Sequence, residues 1–289
     1  MWILYASLTA IFAGLAVIFA KAGAKRINHE VAAAISSIIV LIYCWINVFT
    51  KNIQVEIVNI SGTSFIYIAL SGVALGGAFI CYIWALKRGP VAKTTVFVTL
   101  GGIIPIIIST FVHRVYDNLV LRIIFLICII IGILLMMTEK KRSKGSDWVL
   151  PSILTTVLIA ASIILDNIGV TTSGEIKNAL VSTAVMLFIL IAVFIRAIRS
   201  GISKIPISEL FFSVLCGLSI CAFMSCYSSA LSLGSNTATV AIRDMSLLIS
   251  IGLAALFFKE RISWKSACGL LLIVTGTLLS TFILHSYII

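Results

Sequence analysis

The sequence predicts an all-α polytopic membrane protein, with ten transmembrane helices arranged as two inverted five-helix repeats. Three observations carry that expectation. Of 289 residues, 61% are hydrophobic and the mean hydropathy is +1.20, against roughly 45–50% apolar residues in soluble domains. Apolar runs follow one another along the whole chain, each near the 20 or so residues that cross a hydrocarbon core of about 30 Å. Finally, the stretch 230–280 lines up with 85–136 almost without gaps: Tyr82 with Tyr227, Ala85 with Ala230, Gly89 with Gly234. A hydrophobic unit is used twice. The runs are continuous rather than alternating, which excludes a β-barrel.

The expected spans of the first half are 2–22, 30–49, 63–86, 91–112 and 118–138. Those of the second half are 148–168, 177–198, 207–231, 236–258 and 263–285. The domain reading is therefore 1–138 as the first repeat, 139–147 as a basic cytoplasmic linker, and 148–289 as the second repeat. The first span opens Met1-Trp2-Ile3-Leu4-Tyr5, without a basic n-region and too long for a signal peptide, so it reads as a retained helix. The third span carries Gly72-x-x-x-Gly76-Gly77, a small-residue seam that lets helices approach closely. The fourth carries Gly101-Gly102 and Pro105, which suggest a kink or hinge, or close packing alone. Thr172 and Glu175 have capping-box spacing at the start of the seventh span. The seven cysteines all fall inside spans, with no CxxC or Cys/His spacing. They read as small apolar residues, and neither a disulfide, a metal nor a cofactor is expected. Asn59-Ile60-Ser61 fits a glycosylation sequon, a match common by chance.

Five helices per half is an odd number, so the second repeat must enter the membrane from the side opposite to the first. The basic residues test this. Only Lys51, Arg114, Arg122, Lys177 and Arg243 fall on one side; the remaining 16 of the 21 Lys and Arg lie in loops after the first, third, fifth, seventh and ninth spans. Basic residues at helix ends favour the cytoplasm, so both termini are expected outside the cytoplasmic (plasma) membrane. In the first repeat the basic loops follow its first and third helices, and in the second its second and fourth. That swap is what an inverted duplication produces, and inverted repeats mark transporters with a central site. The net charge of +11 points to membrane lipids as the partner of these loops rather than to nucleic acid.

Phe258-Lys259-Glu260-Arg261-Ile262-Ser263, followed by Gly269 and Gly276 in the last span, resembles the EamA type of the drug/metabolite transporter superfamily. Pro105 fits that family's mid-membrane proline, and the opening segment is similar to short members that hold one five-helix half. The resemblance spans essentially the whole chain. It implies ten helices, alternating access, and movement of small organic solutes, read here as export. The first repeat departs from the pattern, with Arg114-Val115-Tyr116-Asp117 where the second has the Lys-Glu-Arg turn. Many ten-helix relatives place their termini in the cytoplasm, whereas the charges here place them outside.

Arg243-Asp244, inside the ninth span, is the sharpest candidate for substrate binding or coupling. A charge at a helix centre costs about 2.5–3.5 kcal/mol on insertion scales. Adjacent residues point about 100° apart, so the two are not expected to face each other. Two readings stay open: an ion-pair network or snorkelling, and a polar substrate or proton site. The equivalent first-half residues, Val98 and Thr99, are uncharged, so the fold does not require charge there. Asp166 is a candidate partner for Arg243, or an interfacial acid; Glu175 reads as a surface residue. Tyr82 and Tyr227 are candidate gates or walls, or members of an aromatic belt with Trp45 and Trp84. His29, His113 and His285 have no ligand partner at helical spacing. The first span has no acid between Trp2 and Ala20, so it lacks the glutamate that small four-helix multidrug exporters carry in their first helix. No paired catalytic acids, Ser/His dyad or metal cluster is present, and an enzyme is not expected. The leading reading is a secondary transporter of a small polar or amphipathic metabolite, amino-acid-like or a drug, with a coupling proton or ion. A flippase for lipid or lipid-linked carriers, and a non-transporting scaffold or sensor, remain open.

Overall fold

The computed structural model describes residues 1–112, 127–128, 130–132, 134–136, 147–169, 173–201, 205–234, 239, 242–260 and 263–285. The regular elements among them are helical. The first half contributes α1 (Trp2–Gly23), α2 (His29–Thr50), α3 (Gly62–Arg88) and α4 (Val91–Val112), with a 3-10 turn at Gln54–Asn59. The second contributes α5 (Val149–Ile168), α6 (Gly174–Ser200), α7 (Ile207–Leu233), α8 (Ser246–Phe258) and α9 (Trp264–His285). Among the described residues six helices, α1 to α3 and α5 to α7, are long and apolar enough to cross a membrane. The span expected at 118–138 is helical at 127–128, 130–132 and 134–136. The rest of it, most of the linker, Arg114 to Asp117 and the capping-box Thr172 lie outside the described residues.

Local signals set the helix ends. Ser61 caps α3, its Oγ accepting the Ser64 N–H at 3.2 Å. His29, expected in a loop, opens α2 after an extended Asn28, and α6 starts three residues earlier than expected, at Gly174. Lys259 ends α8 in the left-handed region, φ 53° and ψ 35°, an uncommon conformation for a side chain with a Cβ. The span 236–258 is not one regular helix. Residues 242–244 form a helical turn, Met245 turns, and α8 runs regularly only from Ser246. The Met245 N–H bonds back to the Ile242 carbonyl at 3.1 Å, one residue short of α-helical register. Several buried hydroxyls are satisfied within their own helices or across helix contacts, whereas Ser213 Oγ and Thr239 Oγ1 have no partner among the described residues. Thr9 donates to the Tyr5 carbonyl at 2.8 Å, Ser36 to Ser213 at 2.9 Å, and Thr156 to Phe97 at 2.8 Å.

Eight helices close a ring in the order α1, α7, α2, α6, α3, α5, α4, α8 and back to α1. Around that ring the two halves alternate, so each helix is flanked by helices of the other half. The segment 127–136 and α9 pack together at the α4/α8 edge of the ring: a Cβ on Gly132 would lie 2.6 Å from the Gly269 carbonyl oxygen. There Val96, Met136, Leu247, Ile251 and Ile273 share one apolar cluster.

The ring is invariant when the halves are exchanged, and the glycine contacts show this atom by atom. A Cβ on Gly72 would lie 2.7 Å from the Val181 carbonyl oxygen and 2.5 Å from the Ala184 Cβ. A Cβ on Gly217 would lie 2.8 Å from the Ser36 carbonyl oxygen and 2.9 Å from the Ile39 Cβ. All three residues of one contact are related to those of the other by the same offset. Likewise Gly89 packs on the Trp148 side chain and Gly234 on that of Trp2. Small residues at these crossings let the backbones meet, which drives association where no hydrophobic effect operates between helices.

Candidate functional site

The ring lines a half-open cavity of about 270 Å³ between the two halves. Its wall is almost wholly apolar. Ala13, Val17 and Ala20 of α1 face Leu75, Ala78 and Tyr82 of α3; Val98 of α4, Ile159 of α5, and Cys216, Ile220 and Phe223 of α7 complete it. Repeat-related residues meet there: Leu75 is equivalent to Ile220 and Ala78 to Phe223. The Tyr82 hydroxyl is bonded to Thr95 Oγ1 at 3.3 Å, so the phenol presents its ring with its polar end already satisfied. Tyr82 thus lines the wall of the cavity.

At one limit of the cavity, Phe223 stacks on Tyr227, with ring centroids 5.9 Å apart and planes at 9°. The Arg243 guanidinium carbon lies 5.6 Å from the Tyr227 centroid, a cation–π arrangement. Arg243 Nε and Nη2 donate to Asp244 Oδ1 at 3.1 and 2.9 Å. This corrects the expectation that the adjacent pair does not face itself. Arg243 and Asp244 both lie in the helical turn 242–244, just before the turn at Met245, and in a low-dielectric setting the long arginine stem folds back onto the nearest carboxylate. Asp166 is not the partner of Arg243. Its Oδ2 pairs with Lys177 Nζ at 3.0 Å, and its buried Oδ1 has no hydrogen-bond partner among the described residues.

A sequence profile of the EamA-like transporter family matches residues 1–138 and again residues 141–282. The chain belongs to the EamA-like transporter family. An uncharacterised transporter from a Sinorhizobium species, encoded in the region 3′ of cobO, is 34% identical over 92 residues, 32% of this chain. The match spans 65% of that relative's own length. A crystal structure of a protein 14% identical in sequence superposes with a TM-score of 0.69 over 97% of each chain, which shows a shared fold.

In this EamA-like chain the Lys-Glu-Arg turn has a structural task that the sequence did not reveal. Glu260 Oε1 pairs with Lys21 Nζ of α1 at 2.5 Å. Its Oε2 accepts the Val91 N–H, the first amide of α4, at 3.0 Å, where a helix N-terminus favours negative charge. Lys21 also donates to the Gly89 carbonyl at 2.9 Å and lies 5.1 Å from the Phe258 centroid. One carboxylate therefore ties the ends of α1, α8 and α4 together on the basic face, one residue beyond the cavity residue Ala20. Lys259 in the left-handed region is what ends α8 just before it. The glycines singled out in the sequence separate by role. Gly72 and Gly76 seat α3 on α6, and Gly101 seats α4 on α5, where a Cβ would lie 2.9 Å from the Thr156 carbonyl oxygen. Gly102 has nothing within 4 Å of a Cβ. Pro105 is buried inside α4. Trp45 donates to Thr183 at 2.9 Å, and Trp84 stacks on His29; both bind their neighbours within the bundle.

Proposed function

We propose that the chain is a secondary transporter of the plasma membrane that moves a small amphipathic solute by alternating access. The apolar body of the solute occupies the cavity between the halves, and its charged group is met by Arg243 and Asp244. One observation carries this reading: the cavity straddles the repeat. Val98, in its wall, is the first-half equivalent of Arg243, and the wall residue Tyr82 is the equivalent of Tyr227. Exchanging the conformations of the two halves moves Arg243 and Tyr227 into the wall position, which is how inverted repeats alternate access around a fixed site. The solute then meets an apolar surface in one state and a charged pair in the other. A volume near the lower end of small-molecule sites fits a compact solute. The carboxylate of Asp244 and the guanidinium of Arg243 are complementary to an amine and a carboxylate, so amino-acid-like solutes with apolar side chains head the list.

The test is ligand-induced thermal stabilisation of the purified full-length protein, followed by transport in proteoliposomes. A stabilising solute is expected to be amphipathic. Arg243→Ala and Asp244→Asn are expected to abolish its transport while the variants remain folded, and Ala16→Trp, which fills the cavity, to abolish binding. Unchanged transport in both charge variants rejects the site. Competition by lipid headgroups points instead to a lipid flippase.

A further inference from the structure

The repeat offset that relates Gly72 to Gly217 also relates Glu30 to Glu175 and Lys51 to Arg196. These four charges lie at the two ends of the α2/α6 seam, where a helix of the first half meets its own equivalent in the second. Lys51 follows the last residue of α2 and meets Glu175 in the first turn of α6; Glu30 stands in the first turn of α2, on the same side as Arg196 near the end of α6. Each end of the seam therefore carries an acid and a base of this set, from opposite halves.

The two ends are in different states. Lys51 Nζ and Glu175 Oε1 are paired at 2.5 Å. Glu30 and Arg196 form no ion pair. Glu30 Oε1 is 3.3 Å from His29 Nε2, while Glu30 Oε2 and Arg196 Nε are both buried with no hydrogen-bond partner among the described residues. Glu30 and Arg196 stand on helices that pack against each other, and the charges of Glu30, Lys87, Arg196 and Arg88 all act on the His29 imidazole. Buried charged atoms without partners are costly. An acceptor and a donor left unsatisfied at the same end of the seam, at the position where the repeat-equivalent pair is made, are complementary.

We propose that these are the two positions of one latch: Lys51–Glu175 is closed in the conformation described, and Glu30–Arg196 closes in the inverted conformation as Lys51–Glu175 opens. The proposal rests on reading the chain as an alternating-access transporter. When two inverted repeats exchange conformations, a contact made by one set of residues passes to its equivalent set. The Lys51 side chain is 51% exposed, and exposed pairs are weak. Such a pair biases an equilibrium without freezing it, as a cycling protein needs.

Paired cysteines read the latch directly. In the full-length protein freed of its seven cysteines, which are free thiols here, K51C/E175C and E30C/R196C are oxidised in native membranes, and joined fragments are measured by mass spectrometry. Both pairs are expected to cross-link. Adding Glu175→Gln to E30C/R196C removes the competing latch and should raise its cross-linked fraction by about 1.5- to 5-fold, the range for losing one exposed ion pair. In proteoliposomes, either cross-link should stop transport and reduction should restore it. An E30C/R196C pair that never joins, a yield indifferent to Glu175→Gln, or full transport with K51C/E175C joined overturns the latch. Cross-linking needs no substrate. A chain whose E30C/R196C yield responds to Glu175→Gln but which moves no solute therefore refutes the transport reading and leaves the latch standing.

Discussion

At the scale of single residues, Glu260 shows how a motif read from sequence acquires a physical task. Its carboxylate satisfies the Lys21 ammonium, the Val91 amide and, through Lys21, the Gly89 carbonyl, and so joins its own segment to two others. Lys21 and Glu260 side chains are 16% and 20% exposed, so breaking the pair leaves a largely desolvated charge without its partner, at about 1–3 kcal/mol. Glu260→Gln should lower the thermal midpoint, and adding Lys21→Met should recover most of the loss, because the second change removes the stranded charge. The same break should loosen the floor of the cavity. With a cysteine at Ala20 in a protein otherwise free of cysteines, labelling by a membrane-impermeant maleimide from the basic face is expected to rise in Glu260→Gln. Labelling indifferent to the substitution removes any gating role from the turn and leaves it a purely structural clasp. The motif was legible in the chain; its partners were not, because Lys21 and Val91 lie far away in sequence and only folding brings them together.

At the scale of helices, packing distinguishes residues that the sequence makes look alike. Gly101 and Gly102 are neighbours in α4, and both read as hinge residues. Yet a Cβ on Gly101 runs into backbone of α5, at 2.9 Å from the Thr156 oxygen, while one on Gly102 meets nothing within 4 Å. Gly101→Ala should therefore destabilise by about 1–3 kcal/mol through overpacking. Gly102→Ala should be neutral or slightly stabilising, since alanine is the better helix former. Thermal unfolding of both variants in detergent decides it, and equal effects would contradict the packing. Helix existence was legible because it depends on local hydropathy. The break at Met245 was not: hydropathy is continuous through it, and the Arg243–Asp244 pairing that accompanies it depends on side-chain placement. The same holds for Asp166, whose partner Lys177 is close in sequence but across a turn, and was passed over for the more distant Arg243.

At the scale of the whole molecule, one offset of about 145 residues organises everything from the helix ring to individual glycine contacts. Part of this was legible in the aligned stretch. The remainder, Glu30 with Glu175, Lys51 with Arg196 and, one residue further apart, Trp2 with Trp148, needed that offset carried into segments whose sequences have diverged, where only shared geometry keeps the equivalence visible. The ring also bears on orientation. Basic residues outnumber those of the opposite face by 16 to five, and the Lys21–Glu260 clasp and Arg196 lie on that same face. Positive charge is retained on the cytoplasmic side during insertion, within about 15–20 residues of the helix ends, and these loops are short enough to obey that rule. With the even number of crossings expected from the sequence, the charge bias predicts both termini on the opposite side. A C-terminal alkaline phosphatase fusion should therefore be active and a C-terminal green fluorescent protein fusion dark. Inverting the loop charges tests the cause: replacing Lys140, Lys141, Arg142 and Lys144 with glutamine should weaken the bias and yield a mixed population, with both reporters partly active. A fluorescent C-terminal fusion on the unaltered chain would reverse the assignment. It would place the clasp on the outer face and exchange which half of the cycle it closes, while leaving the cavity, the ring and the latch in place.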